Sequence, residues 1–386
     1  MLGGTMRGHG EGTIVKRADG RWEARISLDN GKRRSLYGRT RQEVKQKLIR
    51  ALKEYEDGLP LPSQRQTVEQ YLKSWLRDVA KQRVKLSTFQ GYEQLLTRHA
   101  IPVIGKRPLA KLSPQDVQAL YNATLSAGLK PQTVLNLHRT LNSALKQAVR
   151  WNLVARNVCE LVDPPRVVRE EVKPLDTKQA SRFLLAAADD PLEALFVLAL
   201  TTGMRQGELL ALKWSDVDLE GGTLQVRRSV RRLKGHGFVE GEPKSKQSRR
   251  GLTLHPIAVA ALARHRERQA FARRAAAADW EDRDLVFTNR VGGYIEVGNM
   301  RRRSYWPLLK RAGLARTVRF HDLRHTVASL MIEMDENLKV IQEQLGHADI
   351  ATTANVYGHL SARKKREAAL RLGELLAAGA TSSGAV

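Results

Sequence analysis

The 386-residue chain contains a single cysteine, Cys159. That excludes an intramolecular disulfide and every cysteine-rich zinc site. Aromatic residues make up only 5%, and no motif arranges them as a base-stacking platform, which disfavours a protein that reads single-stranded RNA. Long apolar runs are missing too. The longest, around Leu192–Leu200, has the length of a core helix and falls short of the roughly 20 residues a membrane span needs. Met1 to Gly12 is glycine-rich without a hydrophobic stretch, so the expectation is a cytoplasmic, nucleoid-associated protein with no secretory leader and no membrane partner. Acidic residues are the last shortage: 40 Asp and Glu stand against 66 Lys and Arg, a formal charge of +26. The excess is spread as +7 over 1–65, +8 over 66–171 and +11 over 172–386, which excludes a neutral enzyme with a basic tail. A polyanion is the natural partner, because Lys and Arg displace the counterions condensed on phosphates.

What is present divides into three parts, as the length allows. Gly12–Lys16, Arg21–Leu28 and Lys32–Gly38 read as strands separated by the hairpin signals Ala18-Asp19-Gly20 and Asp29-Asn30-Gly31. Thr40 and Glu43 form a capping box that opens a helix running to about Asp57. This β-β-β-α unit, 1–62, carries Lys16, Arg17, Arg21, Arg25, Lys32, Arg33 and Arg34, either as a solvated face or as a sheet laid into a DNA groove. Gly58–Gln66 reads as a linker. Apolar residues then recur at helical spacing through 67–160, and Pro102, Gly105, Pro108, Pro114, Gly128 and Pro131 punctuate them into four or five helices, a domain of 63–165. After Asp163-Pro164-Pro165, Asp176 caps the first helix of a larger domain, 166–386. The expected fold class is multidomain α+β: a small sheet domain, a helical domain, and a mainly α domain with a small antiparallel sheet built from Thr223–Leu233, Phe238–Glu240 and Arg249–Leu254. Arg363 to Ala378, with Leu370, Leu372, Leu375 and Leu376, reads as an amphipathic tail helix, either self-docked or packed on a neighbouring protomer.

Four stretches of the last domain carry candidate chemistry. In Thr201-Thr202-Gly203-Met204-Arg205-Gln206-Gly207-Glu208, an apolar helix ends at Gly203 and a new one begins with Arg205 in its first turn, with Glu208 three residues on; a surface ion pair is the bland alternative. His321-Asp322-Leu323-Arg324-His325 opens another helix. His321 and His325 at i, i+4 have the spacing by which a helix grips zinc, but Asp322 stands where a zinc hydrolase wants Glu, and Arg324 would repel a dication. Leu345-Gly346-His347 reads as the end of a helix with Gly346 as its cap, and Tyr357 follows ten residues later near the end of a helix over 351–357, an anchor in the bland reading. Lys244 lies on a turn between two strands, where an ammonium can swing to a substrate or simply be solvated.

The ordered set resembles the tyrosine recombinase (phage integrase) family: an Arg box, a turn Lys, His-x-x-Arg, Leu-Gly-His and then Tyr, over about Lys173–Leu360. The helical part resembles that family's core-site-binding domain, and the leader resembles the arm-binding domain of integrases that recognise two kinds of site. The resemblance implies that Arg205 and Arg324 clamp the nonbridging oxygens of a DNA phosphate, and that Tyr357 attacks phosphorus to give a 3′-phosphotyrosine. Lys244 would protonate the leaving 5′ oxygen, His321 and His347 would assist proton transfer, and Glu208 would orient Arg205. No metal or ATP is implied. The partners implied are double-stranded DNA at core and arm sites, a homotetramer on paired sites, a DNA-bending host factor and an excisionase. The alternatives are a chromosome-dimer-resolving recombinase, which usually lacks such a leader, and a catalytically silent DNA-binding regulator on the same fold, which would break the six-residue set.

Overall fold

The computed structural model describes residues 12–27, 33–56, 66–168, 174–242, 249–350 and 369–374. The chain forms two compact units, Met1–Arg169 and Glu170–Val386.

In the first unit, strands Thr13–Lys16, Trp22–Ser27 and Arg33–Gly38 form an antiparallel sheet in sequence order. Gly20, at φ 81°, closes the first turn in the left-handed region, and the Asp19 carboxylate accepts the Arg21 N–H. Register pairs Ala24 with Ile14 and Leu36, so one face of the sheet is apolar. That face packs on helix Arg41–Glu56 through Val44, Leu48 and Ala51. The cap of this helix differs from the expected box in one bond. Thr40 Oγ1 accepts from the Glu43 N–H at 3.1 Å, but the Glu43 carboxylate reaches past Thr40 to the Arg39 N–H at 2.8 Å.

Between 66 and 168 the chain is helical, as the periodicity predicts. Val68–Trp75 and Leu86–Leu95 start two helical runs that pass through wide π turns at Leu76–Ala80 and Leu96–Ala100. Pro114–Ser126 and Pro131–Arg150 complete the set, the first capped reciprocally by Ser113 and Asp116. The long helix buries Val134, Leu137, Leu141, Leu145 and Ala148, a stripe at 3–4 residue spacing, against Val68, Tyr71, Leu72 and Trp75. The Tyr71 hydroxyl donates to the Ala144 carbonyl inside this core. Cys159 is fully buried there, and burial pushes its thiol up to about 12, so it is a packing residue.

In the second unit, Asp176 and Gln179 make the capping box of helix Thr177–Ala187. Helix Glu193–Thr202 is buried almost all round, as an apolar run of that length requires. It is surrounded by Thr177–Ala187, Pro256–Ala276 and Asp322–Glu333. The small sheet corrects the sequence expectation. Thr223–Leu233 is not one strand. Thr223–Val226 pairs with Val217–Asp218 and Arg250–Thr253, whereas Ser229–Leu233 pairs with Gly237–Gly241 in a separate hairpin. The break falls at Arg227 and Arg228, whose guanidiniums both turn to the buried Asp216 carboxylate, at 3.4 and 2.6 Å. A pair of adjacent side chains aimed at one acid cannot keep the alternation of a strand.

Candidate active site

The Arg205 guanidinium is gripped by a carboxylate and by a backbone carbonyl. Helix Glu193–Thr202 stops at Gly203, whose φ of 65° suits glycine and whose hypothetical Cβ would lie 2.5 Å from Leu345 Cδ2. The chain then turns so that Arg205 is the N-cap of the short helix Gln206–Leu209, just ahead of the first turn where the sequence places it. Its Nη1 donates to Glu208 Oε1 at 2.7 Å and its Nη2 to the Gly346 carbonyl at 3.0 Å. The pair is no surface ion pair: Glu208 is 2% exposed. Burial alone would raise its carboxyl, but the charges of Arg250 and Arg205 hold it below the ordinary glutamate value.

Arg324 lies in the first turn of helix Asp322–Glu333 and is buried. Nη1 donates to the Gly203 carbonyl at 2.7 Å and Nη2 to the Leu345 carbonyl. The helix that carries it is anchored at its start, where Arg319 donates through Nη2 to Asp322 Oδ1 at 2.9 Å and the Leu175 N–H donates to Thr326 Oγ1 at 2.9 Å. Helix Leu338–Leu345 ends at Gly346, in the left-handed region at φ 64°, as predicted. His347 follows, its N–H donating to the Gln342 carbonyl at 3.1 Å.

His321, the N-cap of its helix, is exposed by area, although neighbouring protein atoms partly desolvate its ring. That desolvation, then the neighbouring His325 and the positive charges of Arg324 and Arg205, push its pKa down to about 4. His347 is likewise lowered to about 4, by burial and then by Arg324 and Arg205. The His321 and His325 rings stand perpendicular with centroids 5.0 Å apart. Among the described residues no group of three or more His, Cys, Asp or Glu is placed to hold a metal. The donor set around the two rings is guanidinium-rich, a setting for an anion.

Lys244 and Tyr357 lie outside the described residues, as do Lys32, the expected helix over 351–357 and most of the expected tail helix, of which residues 369–374 are helical. Arg205, Arg324, His321, His347 and Glu208 are brought together. The leader's basic set is divided. Arg25 and Arg17 reach the Glu23 carboxylate at 3.0 and 3.3 Å, and Arg21 pairs with Asp19 at 2.7 Å. Lys16 stands opposite Trp22, and in the backbone register Arg33 and Arg34 stand opposite Ser27 and Ile26. Sequence reasoning missed Glu23, which is 2% exposed although it lies on the sheet face away from the helix. Hydrogen bonds from Arg25 and Ser35, with the charges of Arg25 and Arg17, lower its carboxyl to about 2. It also missed Arg250, which donates to Glu208 Oε2 at 3.2 Å. Its signal was available: Arg250, Leu252 and Leu254 alternate on one strand, and an arginine sharing a buried parity needs an acidic partner.

The histidines predict a pH effect on stability. His138, His265, His321, His325 and His347 are all shifted below the ordinary value of 6.5, each by burial first. Between 6.5 and about 4 the unfolded chain takes up protons that the folded chain refuses, so stability should fall as pH drops through that window. Thermal melts should show the decline, and a His321→Asn/His347→Asn variant should decline less steeply. Equal slopes would show that these two imidazoles are not desolvated.

Both units resemble known proteins. The Phage integrase family model matches residues 173–364, and the Phage integrase, N-terminal SAM-like domain model matches 67–125. A tyrosine recombinase XerC-like protein of Caldanaerobacter subterraneus subsp. tengcongensis is 30% identical over 368 residues, covering 90% of this chain and 93% of that protein. An integrase of Streptomyces ambofaciens is 34% identical over 354 residues, covering 87% and 89%. Among solved structures, the Tn1549 transposon integrase in complex with a circular intermediate DNA shares the fold at a TM-score of 0.67 and 22% identity, covering 80% of this chain and 99% of that one. The family model and the relatives define a DNA-recombining enzyme. The chain belongs to the phage integrase family of tyrosine recombinases.

Proposed function

We propose that the chain is the site-specific recombinase of an integrating phage or other mobile element, which cuts and rejoins double-stranded DNA through a 3′-phosphotyrosyl intermediate on Tyr357. The observation that carries this reading is the gathering of Arg205, Arg324, His321 and His347, from distant stretches of sequence, around the turns at Gly203 and Gly346. Arg205 and Arg324 hold the nonbridging oxygens and the charge that builds on them at the transition state. The Tyr357 hydroxyl attacks phosphorus, and Lys244 protonates the departing 5′ oxygen. His321 and His347, neutral near pH 7 because of their lowered pKa values, accept the tyrosine proton or hydrogen-bond the phosphate in this reading. The phosphotyrosyl ester conserves the phosphodiester's bond energy, so rejoining needs no nucleotide. Guanidiniums neutralise the phosphate, so the step needs no divalent ion.

Exchange between two duplexes cuts four strands. With one Tyr357 in each protomer, that arithmetic supports a homotetramer on paired sites. The helical domain, 63–165, takes core sites and the leader, 1–62, takes arm sites. A host DNA-bending protein would bring the two kinds of site together, and an excisionase would set direction. The name of the XerC-like relative keeps a chromosome-dimer resolvase as the second reading.

A plasmid carrying two core sites with flanking arm sites tests both. In EDTA and without nucleotide, the full chain should give recombinant product. Deletion of residues 1–62 should spare core-site cleavage and erase arm-site footprints. A requirement for metal or ATP would end the strand-transfer reading. Equal protection of every site by the truncated chain would favour the resolvase.

A further inference from the structure

The last three carbonyls at the end of helix Leu338–Leu345 each accept a hydrogen bond from a different arginine. Gln344 accepts from Arg250 Nε at 2.8 Å, Leu345 from Arg324, and Gly346 from Arg205 Nη2 at 3.0 Å. Carbonyls at a helix C-terminus have no partner within the helix and carry the negative end of its dipole. Here three guanidiniums from three separate elements fill that role. Two of them, Arg205 and Arg324, belong to the Thr201–Glu208 and His321–His325 stretches. The third, Arg250, starts strand Arg250–Thr253, has a side chain only 7% exposed, and also donates to Glu208 Oε2 at 3.2 Å. A circuit results: Arg205 to Glu208, Glu208 to Arg250, Arg250 to Gln344, and Gly346 back to Arg205.

We propose that Arg250 is a positioning residue of the strand-transfer reaction, acting on the scissile phosphate through Glu208 and Arg205. The proposal rests on the recombinase reading above. Two physical consequences follow from the circuit. Glu208 is shared between two guanidiniums, so its charge is not spent on Arg205 alone, and three arginines against one carboxylate leave the phosphate cradle strongly cationic. The planar fork of Arg250 also spans Glu208 and the Gln344 carbonyl at once, which fixes the turn bearing His347 relative to Arg205. A lysine keeps the charge but cannot span both.

Arg250→Gln and Arg250→Lys, each in the full chain, test this. Both should bind a core-site duplex within about threefold of wild type and form the covalent adduct on a nicked substrate about 10- to 100-fold more slowly. The decisive arm replaces the scissile phosphate with a methylphosphonate, which removes one charged nonbridging oxygen. If Arg250 works through the clamp, the defect relative to wild type on that substrate should shrink to under about threefold. A defect of equal size on both substrates would assign Arg250 to the fold and overturn the proposal. So would wild-type cleavage rates in Arg250→Lys, the variant that decides the matter if Arg250→Gln fails to fold. Absence of the adduct in the wild type would sink the recombinase reading itself, and this proposal with it.

Discussion

Tyr357→Phe should abolish covalent attachment to DNA while leaving folding and site recognition intact. The substitution deletes one oxygen and keeps the ring, so the melting temperature and the gel shift of a core-site duplex should match wild type. Loss of the nucleophile in an enzyme that works by covalent catalysis costs on the order of 10⁶ in rate, which in this assay means no adduct. A variant that merely slowed, with the adduct still accumulating, would show that another hydroxyl attacks and that Tyr357 is a helix anchor.

Arg324→Ala should damage chemistry and fold together, and the contrast with Arg205→Ala separates the two contributions. Arg324 is 3% exposed and satisfies the carbonyls of Gly203 and Leu345. Its removal leaves two buried acceptors without that donor, at about 1–3 kcal/mol each. The Arg205 side chain is 30% exposed and its loss uncovers less, although buried Glu208 would lose one of its two guanidinium partners and keep Arg250. Either substitution should lower single-turnover cleavage by about 10³-fold or more, the scale on which a guanidinium stabilises a phosphoryl transition state. Chemical denaturation should show the larger stability loss in Arg324→Ala. Comparable cleavage by wild type and either variant would remove that arginine from the phosphate clamp.

Those features of the site that depend on near neighbours could be read from the sequence. Gly203 and Gly346 were placed as helix ends because left-handed caps are local and glycine marks them, and the structure puts both in that region. The Asp176 N-cap is local in the same way, since its carboxylate reaches an N–H three residues on. Glu208 was paired with Arg205 from their i, i+3 spacing, but its burial could not be, because it depends on Arg250, which arrives from 42 residues away. The contact of Arg250 with Gln344 spans 94 residues. No helical or strand periodicity encodes such a meeting. The small sheet failed for a related reason. The apolar and polar pattern through Thr223–Leu233 suits one strand, and only Asp216, folded beneath Arg227 and Arg228, divides it. In the leader, counting basic residues located the unit but did not sort its faces. Strand alternation puts Arg25 on Glu23's side of the sheet, and register sets Lys16 opposite Trp22.

The central claim is that one tyrosine of this chain becomes joined to the 3′ side of a broken DNA strand without metal or nucleotide. A core-site duplex nicked just beyond the scissile bond traps that state, because the short 5′ fragment diffuses away and rejoining stops. The adduct formed in EDTA, digested with a protease and analysed by mass spectrometry, should yield a peptide containing Tyr357 that carries a 3′-linked nucleotide phosphate. A phosphate on any other residue, a linkage to a 5′ end, or an adduct that forms only when a divalent ion is restored would contradict the account.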